Sequence, residues 1–170
     1  MRRVLLIVGG ADPAEGNRKL PVYYDRMWTF LSVAKKDSMI RSRADMIWDC
    51  HGPINSFADR AKYRGKRLPL FDLRCPERSG LLEAERFDAP SLIRTYGQHF
   101  ASQACWMAAY ANDLGYHQVI MWRFYQDPMQ TEYMDQVPEL CWIMGQADST
   151  EYSFDPACVI MRPKTYGLKA

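Results

Sequence analysis

Two short loops in the sequence carry residue types that suit phosphate binding. They comprise Gly9, Gly10, Ala11, Asp12, Tyr125, Gln126 and Asp127. Glycines let backbone N–H groups come close to an anion. The first loop, GGADP, has no third glycine and no Gly-Lys-Ser/Thr, so it is neither a dinucleotide-binding fingerprint nor a Walker A motif. Two interpretations of this loop therefore stay open: a phosphate-binding loop and an ordinary turn at the end of a strand.

Side chains near the ends of the predicted strands could act as acids or bases. His51 closes an apolar segment, and a neutral imidazole there could accept or donate a proton. A lone histidine is more often structural, and only the location of His51 favours a function. Asp49 would point to the same side of a strand, so it either orients His51 or caps the turn. Glu132, with Asp135 nearby, could supply an acid, although two loop carboxylates are more often surface charges.

Ser102 stands where the N-cap of a helix is expected. Apolar residues recur with helical spacing over residues 102–114, and Gly115 follows as a C-terminal cap. The start of such a helix offers unpaired N–H groups and a dipole that favours anions. His99 precedes this start and could lie near it. His117 opens a strand at the opposite end of the sheet, so we exclude it from the site.

The elements that would position these residues alternate between strands and helices. The patterns predict strands over residues 3–8, 44–50, 68–73, 117–124 and 157–161, and helices over 22–36, 102–114 and 138–147. Segment 74–89 is rich in charged and turn residues and is predicted as a loop with at most one helical turn. This alternation predicts one α/β domain over residues 1–170, with a doubly wound, mainly parallel five-stranded sheet and helices on both faces.

A strand order of 3-2-1-4-5 would bring the two loops together. In doubly wound sheets, ligands bind at the carboxyl ends of the strands, where the strand order reverses. With this order the reversal lies between the first strand and the strand that ends at Phe124. The sequence therefore predicts that GGADP and YQDP face each other across one crevice, with the helix start at Ser102 beside them.

Composition narrows the classes of protein and partner. The formal net charge is +2. Residues 60–67 contain a basic cluster, but no series of aromatic residues that could stack on bases accompanies it. We therefore interpret the cluster as a solvent-exposed loop rather than as a nucleic-acid-binding surface. The five cysteines never form a C-x-x-C pair, so reduced thiols are expected rather than disulfides or zinc. No apolar run could span a bilayer and no signal peptide is recognised, so we expect a cytoplasmic protein. The Met and Trp content permits a homodimer without requiring one.

The chain resembles a group of small bacteriophage and prophage proteins with a Rossmann-like fold. Four blocks carry the resemblance: LLIVGGADP, ADMIWDCHGP, YGQHFASQACWMAAYANDLGYHQVIMWRF and TEYMDQVPELCWIMGQA. That group is more distantly similar to bacterial sialyltransferases that use CMP-activated sugars and to motility-accessory glycosyltransferases related to pterin pyrophosphokinases. The resemblance implies a Rossmann-like fold, a nucleotide ligand and, for a phage-encoded protein, a location in the host cytoplasm.

The resemblance also implies a role for the first loop. In those families a Gly-x-Gly-Pro-Ser loop after the first strand holds the nucleotide phosphates, and residues 9–13 stand in its place, departing from it at Asp12 and Pro13. After the fourth strand the families have a Gly-Val/Ile-Asp turn beside the donor. Here residues 123–125 stand in its place, with Asp127 displaced along the chain.

Further matched positions lie in the other blocks. The phage group has an aspartate and a histidine at the end of the second strand, matched by Asp49 and His51. Its Phe-Thr-Ser-Ser block before an alanine-rich helix is matched by residues 100–102. Its Glu-Tyr and Gln-x-Pro pattern is matched by Glu132, Tyr133 and Gln136, to which the resemblance gives no specific role.

Two function hypotheses from different classes follow. The first is a nucleotide-binding, glycosyltransferase-like enzyme in which residues 9–12 and the helix start at Ser102 bind the phosphates, and His51 or Glu132 deprotonates an acceptor. The acceptor could be a sugar, a DNA base or a protein, and the sequence does not choose among them. The second is a non-catalytic module that sequesters a nucleotide or engages a protein and keeps only the fold. A nucleotide hydrolase ranks lowest. We expect no metal and no cofactor beyond a nucleotide or nucleotide-sugar ligand.

Overall fold

The protein has a Rossmann-like α/β fold. The structure, a computed structural model, describes residues 2–10, 20–21, 23–48, 68–70, 84–86, 88–126, 136–154 and 159–160. Within these ranges the elements are β1 Val4–Val8, β2 Arg26–Phe30, α1 Leu31–Lys36, α2 Ser38–Arg43, β3 Met46–Trp48, β4 Leu68–Leu70, β5 Ala84–Arg86, α3 Ala89–Tyr96, α4 Gln103–Asp113, β6 Gln118–Trp122, β7 Tyr125–Gln126, α5 Gln136–Gly145, β8 Glu151–Phe154 and β9 Val159–Ile160.

Five of these strands form one parallel sheet in the order β3-β2-β1-β6-β8. Its centre is β1, whose five residues are all buried, as expected for a continuous aliphatic strand that is covered on both faces. Counted along the chain within this sheet, the order is 3-2-1-4-5, as assumed from the sequence, although of the five predicted strands only 3–8 and 117–124 hold their expected places. The strand order therefore reverses between β1 and β6, which is the position that the sequence predicts.

Alternate residues of β1 pack into two separate cores. Leu5 and Ile7 belong to the core under α3, α4 and α5, whereas Leu6 and Val8 belong to the core under α1 and α2. This alternation follows from the two-residue period of a strand, which points successive side chains to opposite faces. Each fully buried aliphatic side chain contributes about 1.5–3 kcal/mol to folding. The two cores hold β1 from both faces of the sheet.

The predicted helix over residues 22–36 is wrong in its first part, because residues 26–30 form β2. Met27, Phe30, Leu31 and Ala34 have the spacing of a helical face, but Met27 and Trp28 are both buried, in different cores. β2 lies between β1 and β3 and pairs with both, so its hydrogen bonds and two buried faces outweigh the helical period. The helix therefore begins only at Leu31.

The other predicted strands are partly displaced. The segment 44–50 contributes β3 as predicted, but as the third strand of the sheet. β4 lies outside the main sheet and pairs with β5, which falls in the segment predicted as a loop. The edge strand beside β6 is β8, whereas the sequence predicts a strand over residues 157–161 at this place. Two residues of that segment form β9, which pairs with β7 instead. Edge strands carry weak alternation because they are only partly buried, as the pattern of β8 shows.

The two long helices agree with the prediction. Ser102 caps α4 through its side chain, which accepts a hydrogen bond from the Cys105 amide, and Gly115 has a φ of 68° after its end. α5 begins two residues before the predicted start at Pro138. None of the helices in the described part of the chain is long and apolar enough to cross a membrane.

Candidate functional site

The ends of β1 and β6 meet at the point where the strand order reverses. The two strands run in parallel from the pair Val4 and Gln118 to the pair Val8 and Trp122. The pairing continues for one further bond, because the Gly9 amide donates to the Trp122 carbonyl at 2.8 Å. The start of GGADP and the turn after β6 therefore lie side by side, and we call this position the β1–β6 edge.

Gly9 is packed directly against the turn after β6. A Cβ at this position would lie 2.4 Å from the Arg123 carbonyl oxygen and 3.0 Å from Cδ2 of Phe124. No side chain fits at the first distance without a shift of the backbone. Gly9 thus has a packing reason to be glycine that is independent of any ligand.

Gly10 is exposed and much less confined. A Cβ there would meet Val33 Cγ2 at 3.5 Å, which is ordinary van der Waals contact. Of the two described residues of the first loop, Gly10 is therefore the one that faces solvent. Ala11 and Asp12 lie outside the described residues.

Arg123 lies across from Gly9 in an unusual conformation. Its φ is 60°, the only positive value among the non-glycine residues that the structure describes. Its guanidinium donates from Nη1 to Oδ2 of Asp37 at 3.2 Å and lies 5.4 Å from the centroid of the Trp122 ring. The side chain is 14% exposed. The sequence marks Arg123 only as a departure from a family turn, and an arginine directly after a buried central strand is the signal that would have singled it out.

Asp37 joins Arg123 to the junction of α1 and α2. Its Oδ1 accepts hydrogen bonds from the amides of Met39 and Ile40, each at 3.0 Å, and so caps α2. Its Oδ2 faces Arg123. One carboxylate thereby connects the end of β6 with the helices on one face of the sheet. Sequence analysis did not select Asp37.

The starts of α4 and α5 contact each other. The Sγ atom of Cys105 donates to the Gln136 carbonyl at 3.9 Å, and the Ala101 amide donates to Oε2 of Glu139 at 2.5 Å. The Ser102 hydroxyl accepts from the Cys105 amide at 3.3 Å. A carboxylate of the chain itself is thus bound next to the helix start that the sequence predicts for phosphate.

The Cys105 thiol is buried and shares hydrogen bonds with Ser102 and Gln136. Burial raises its pKa above the usual value for a thiol, and hydrogen bonding to Ser102 only partly offsets this effect. A protonated thiol reacts poorly, because the thiolate is the nucleophile. The pair Ser102 and Cys105 is therefore best described as a helix cap.

His99 lies on the surface rather than in a crevice. Its ring is 5.4 Å from the ring of Trp142 in α5, and Trp142 is itself 50% exposed. A Cβ on Gly97, whose φ is 72°, would approach Cδ2 of His99 at 3.2 Å. The structure thus places His99 in an exposed turn before α4, in contact with an aromatic ring of α5.

The remaining predicted site residues are only partly described. The backbone of Tyr125 and Gln126 forms β7, which pairs in parallel with β9. The positions outside the described residues are Asp49, His51, Asp127, Glu132 and Tyr133. In the described part of the chain, no group of three His, Cys, Asp or Glu side chains is placed to hold a metal ion.

Within the described residues, the carboxyl edge of the sheet contains the Arg123–Asp37 ion pair and the exposed backbone of Gly10. At the start of α4, the Ala101 amide is already bound by the Glu139 carboxylate. The chain shows no significant similarity to any protein-family model, curated protein or solved structure.

Proposed function

We propose that this protein binds a nucleotide at the β1–β6 edge and transfers a group from a nucleotide-activated donor. One observation carries the proposal: the strand order of the sheet reverses between β1 and β6, directly where Gly9 and Gly10 follow β1. Reversal points of doubly wound sheets open a crevice at the carboxyl ends of the strands, and nucleotides commonly bind there. The expected resemblance to phage proteins that are distantly similar to nucleotide-sugar transferases implies a nucleotide at the same position.

The proposed reaction is the transfer of a glycosyl-like group to a hydroxyl acceptor. The bond from the transferred group to the nucleotide phosphate breaks, and the nucleotide leaves with the bonding electron pair. Donors at the β1–β6 edge would stabilise that negative charge. A base removes the proton of the acceptor hydroxyl as the new bond forms, and His51 and Glu132 are the proposed candidates for this role.

A second candidate function is a non-catalytic nucleotide-sequestering or protein-interaction module. One feature favours the protein-interaction form of this alternative, which needs no bound phosphate: the carboxylate of Glu139 already accepts from the Ala101 amide, next to the predicted phosphate site at Ser102. A negative charge there repels a phosphate. In this alternative the protein keeps the fold, but it does not position a nucleotide-activated donor for group transfer.

Ligand-induced stabilisation tests the proposal. Thermal unfolding is followed with CMP, UDP, ADP, GDP and their sugar conjugates, and a ligand at ~100 times its dissociation constant should add about 2.7 kcal/mol of stability. We expect at least one of these ligands to stabilise the protein. If none raises the melting temperature, nucleotide binding is wrong.

A charge placed at Gly10 tests the location of the bound ligand. Gly10→Glu adds a carboxylate at an exposed position where a Cβ makes only ordinary contact, so the fold should tolerate it. The stabilisation by nucleotide should be lost, because the carboxylate repels phosphate. Gly145→Glu is the matched control, since nothing lies within 4 Å of a Cβ at the far end of α5. Equal stabilisation of both variants would place the ligand elsewhere.

Donor hydrolysis separates the two candidate functions. If a nucleotide sugar binds, its cleavage is measured in the wild type, in His51→Ala and in Glu132→Ala. A transferase should lose turnover in one of these variants while retaining nucleotide binding. Binding without turnover in the wild type would support the sequestering module.

A further inference from the structure

We propose that the outer face of α5 binds a second copy of this chain, so that the protein forms a weak symmetric dimer through antiparallel α5 helices. Four exposed residues make up this surface, which we call the α5 stripe: Pro138, Cys141, Trp142 and Gly145. The proposal goes beyond the proposed function and does not depend on a nucleotide.

The first argument is the spacing of the exposed residues along α5. The members of the α5 stripe recur at intervals of three and four residues, so they lie on one face of the helix. On another face Val137, Leu140 and Ile143 are buried. A helix that is apolar on more than one face is normally covered on each of them. Within the described part of the chain, only one of these faces of α5 lies in a core.

The second argument is the exposure of Trp142. All five tryptophans lie within the described ranges, and Trp142 is the only one that is exposed, at 50%. Its ring lies 5.4 Å from the ring of His99 in the same chain. Single exposed apolar residues are ordinary, whereas a contiguous apolar stripe marks a contact surface. Tryptophan is also among the residues that most often supply the binding energy of protein interfaces.

The third argument is the absence of exposed charge on α5. Each of the other four described helices has at least one exposed charged residue: Lys35 in α1, Arg43 in α2, Arg94 in α3 and Asp113 in α4. The one charged residue of α5 is Glu139, which is only partly exposed and accepts from the Ala101 amide of its own chain. The α5 stripe thus offers no counter-charge to an acidic or basic partner. Two copies of it meet without repulsion between like charges.

The fourth argument is that an antiparallel pair of α5 helices is complementary to itself. The partly positive amino end of each helix lies beside the partly negative carboxyl end of the other, whose last turn contains no basic residue. A two-fold axis between Cys141 and Trp142 sets Trp142 against the partner's Cys141, and Pro138 against the partner's Gly145. Space is available there, because no atom lies within 4 Å of a Cβ at Gly145. Large residues thereby oppose small ones, as an interface between identical surfaces requires.

The size of the α5 stripe sets the expected strength of the dimer. Stable complexes bury about 800 Å² on each partner. Four residues of a ten-residue helix bury less than that, so the dissociation constant should be on the order of 100 µM.

Sedimentation velocity of the full chain tests the proposal, at concentrations from about 10-fold below to about 10-fold above that constant. The wild type should show a reversible equilibrium between monomer and dimer. Trp142→Glu should raise the dissociation constant at least about 10-fold, because it places a carboxylate in an apolar contact. Met39→Glu is the matched control and should dimerise as the wild type does. Met39 is 43% exposed and belongs to α2, on the opposite face of the sheet.

Cross-linking through Cys141 provides a second measurement. Its thiol is exposed and lies next to the proposed two-fold axis, whereas Cys105 is buried. A short bismaleimide, which joins two thiols, should therefore yield a covalent dimer of the wild type. This product should be lost in Cys141→Ser. The measurement decides the question if Trp142→Glu does not fold.

Four results would overturn the proposal. They are a wild type that stays monomeric at every concentration, wild-type dimerisation of Trp142→Glu, equal weakening in Met39→Glu, and undiminished cross-linking in Cys141→Ser. Neutral phosphatidylcholine vesicles are the probe for a lipid surface. A monomeric wild type whose tryptophan emission shifts to the blue with these vesicles, but not in Trp142→Glu, would assign the α5 stripe to lipid and overturn the dimer as well.

Discussion

At the scale of single residues, Gly9 is the most tightly packed of the glycines that the structure describes. Its Cα faces a carbonyl oxygen, and a backbone atom cannot move aside as the end of a flexible side chain can. The sequence indicates a glycine-containing turn here, but only the structure shows that the two glycines differ. Gly9 serves the packing of β1 against the turn after β6, whereas Gly10 is left open to solvent.

Substitution of the two glycines should therefore have unequal effects. Gly9→Ala is expected to lower the free energy of unfolding by about 1–3 kcal/mol, because the added methyl group overpacks the contact with Arg123. Gly10→Ala is the control and should change it by less than about 0.5 kcal/mol. Urea unfolding measures both values. Equal values would show that the β1–β6 edge is not close-packed.

Ionisation of the Tyr152 hydroxyl should make the free energy of unfolding depend on pH in the alkaline range. Burial raises its pKa above the usual value of 10.0. Its hydroxyl donates to Oδ1 of Asn112 at 2.7 Å and lies 3.1 Å from the Ala108 carbonyl. The folded state therefore holds the phenolic proton to a higher pH than the unfolded chain does. This contribution to stability is complete below a pH of about 10 and is lost as the pH rises above it, by up to about 1.4 kcal/mol per pH unit.

The variant Tyr152→Phe isolates this effect. It should lower the free energy of unfolding by about 1 kcal/mol at neutral pH, through the lost hydrogen bond. Above pH 10 its stability should fall less steeply than that of the wild type. Unfolding in urea between pH 8 and 11 gives both slopes. Parallel curves would mean that the Tyr152 hydroxyl is not protonated preferentially in the folded state.

At the scale of elements, Asp37 links the cap of α2 to the end of β6. Asp37→Ala removes both functions and should lower the free energy of unfolding by about 1–2 kcal/mol. Asp37→Asn keeps a side-chain oxygen for the Met39 and Ile40 amides and loses only the charge that faces Arg123. It should cost less than the alanine variant, because asparagine is also a good N-cap. Equal losses would assign the whole effect to the ion pair.

The sequence predicts the elements that are long or wholly buried. The strands β1 and β6 and the helix α4 follow from an aliphatic run, an apolar run and a helical period with its caps. β2 is missed because Met27 and Phe30 also fit a helix, and only pairing with two neighbouring strands decides between the two structures. β8 is missed because an edge strand with half-exposed residues has no strong alternation.

The sequence predicts the position of the candidate site better than it predicts the residues that form it. The reversal between β1 and β6 follows from the order of buried strands, so the proximity of Gly9 to the turn after β6 could be predicted. The ion pair of Asp37 with Arg123 and the hydrogen bond of Glu139 with Ala101 could not, because each joins residues 38 or more positions apart. Contacts of that range come from helix packing, which local patterns do not specify.

At the scale of the whole molecule, the central claim is that the β1–β6 edge binds a nucleotide. The fold places this edge between two independent cores, one under α1 and α2 and the other under α3, α4 and α5. Arg123 contacts Asp37 and Trp122, and a Cβ on Gly10 would meet Val33, so both positions lie on the side of the sheet that α1 and α2 cover.

Amide chemical-shift mapping tests this claim most directly. Heteronuclear NMR spectra of the 15N-labelled protein are recorded while the nucleotide that stabilises it best is added. The account predicts the largest shifts at Gly9, Gly10 and Arg123 and little change at Asp25 and Asp45, which lie at the amino ends of β1 and β2. Shifts concentrated at the amino edge, or no shifts at a saturating concentration, would contradict it.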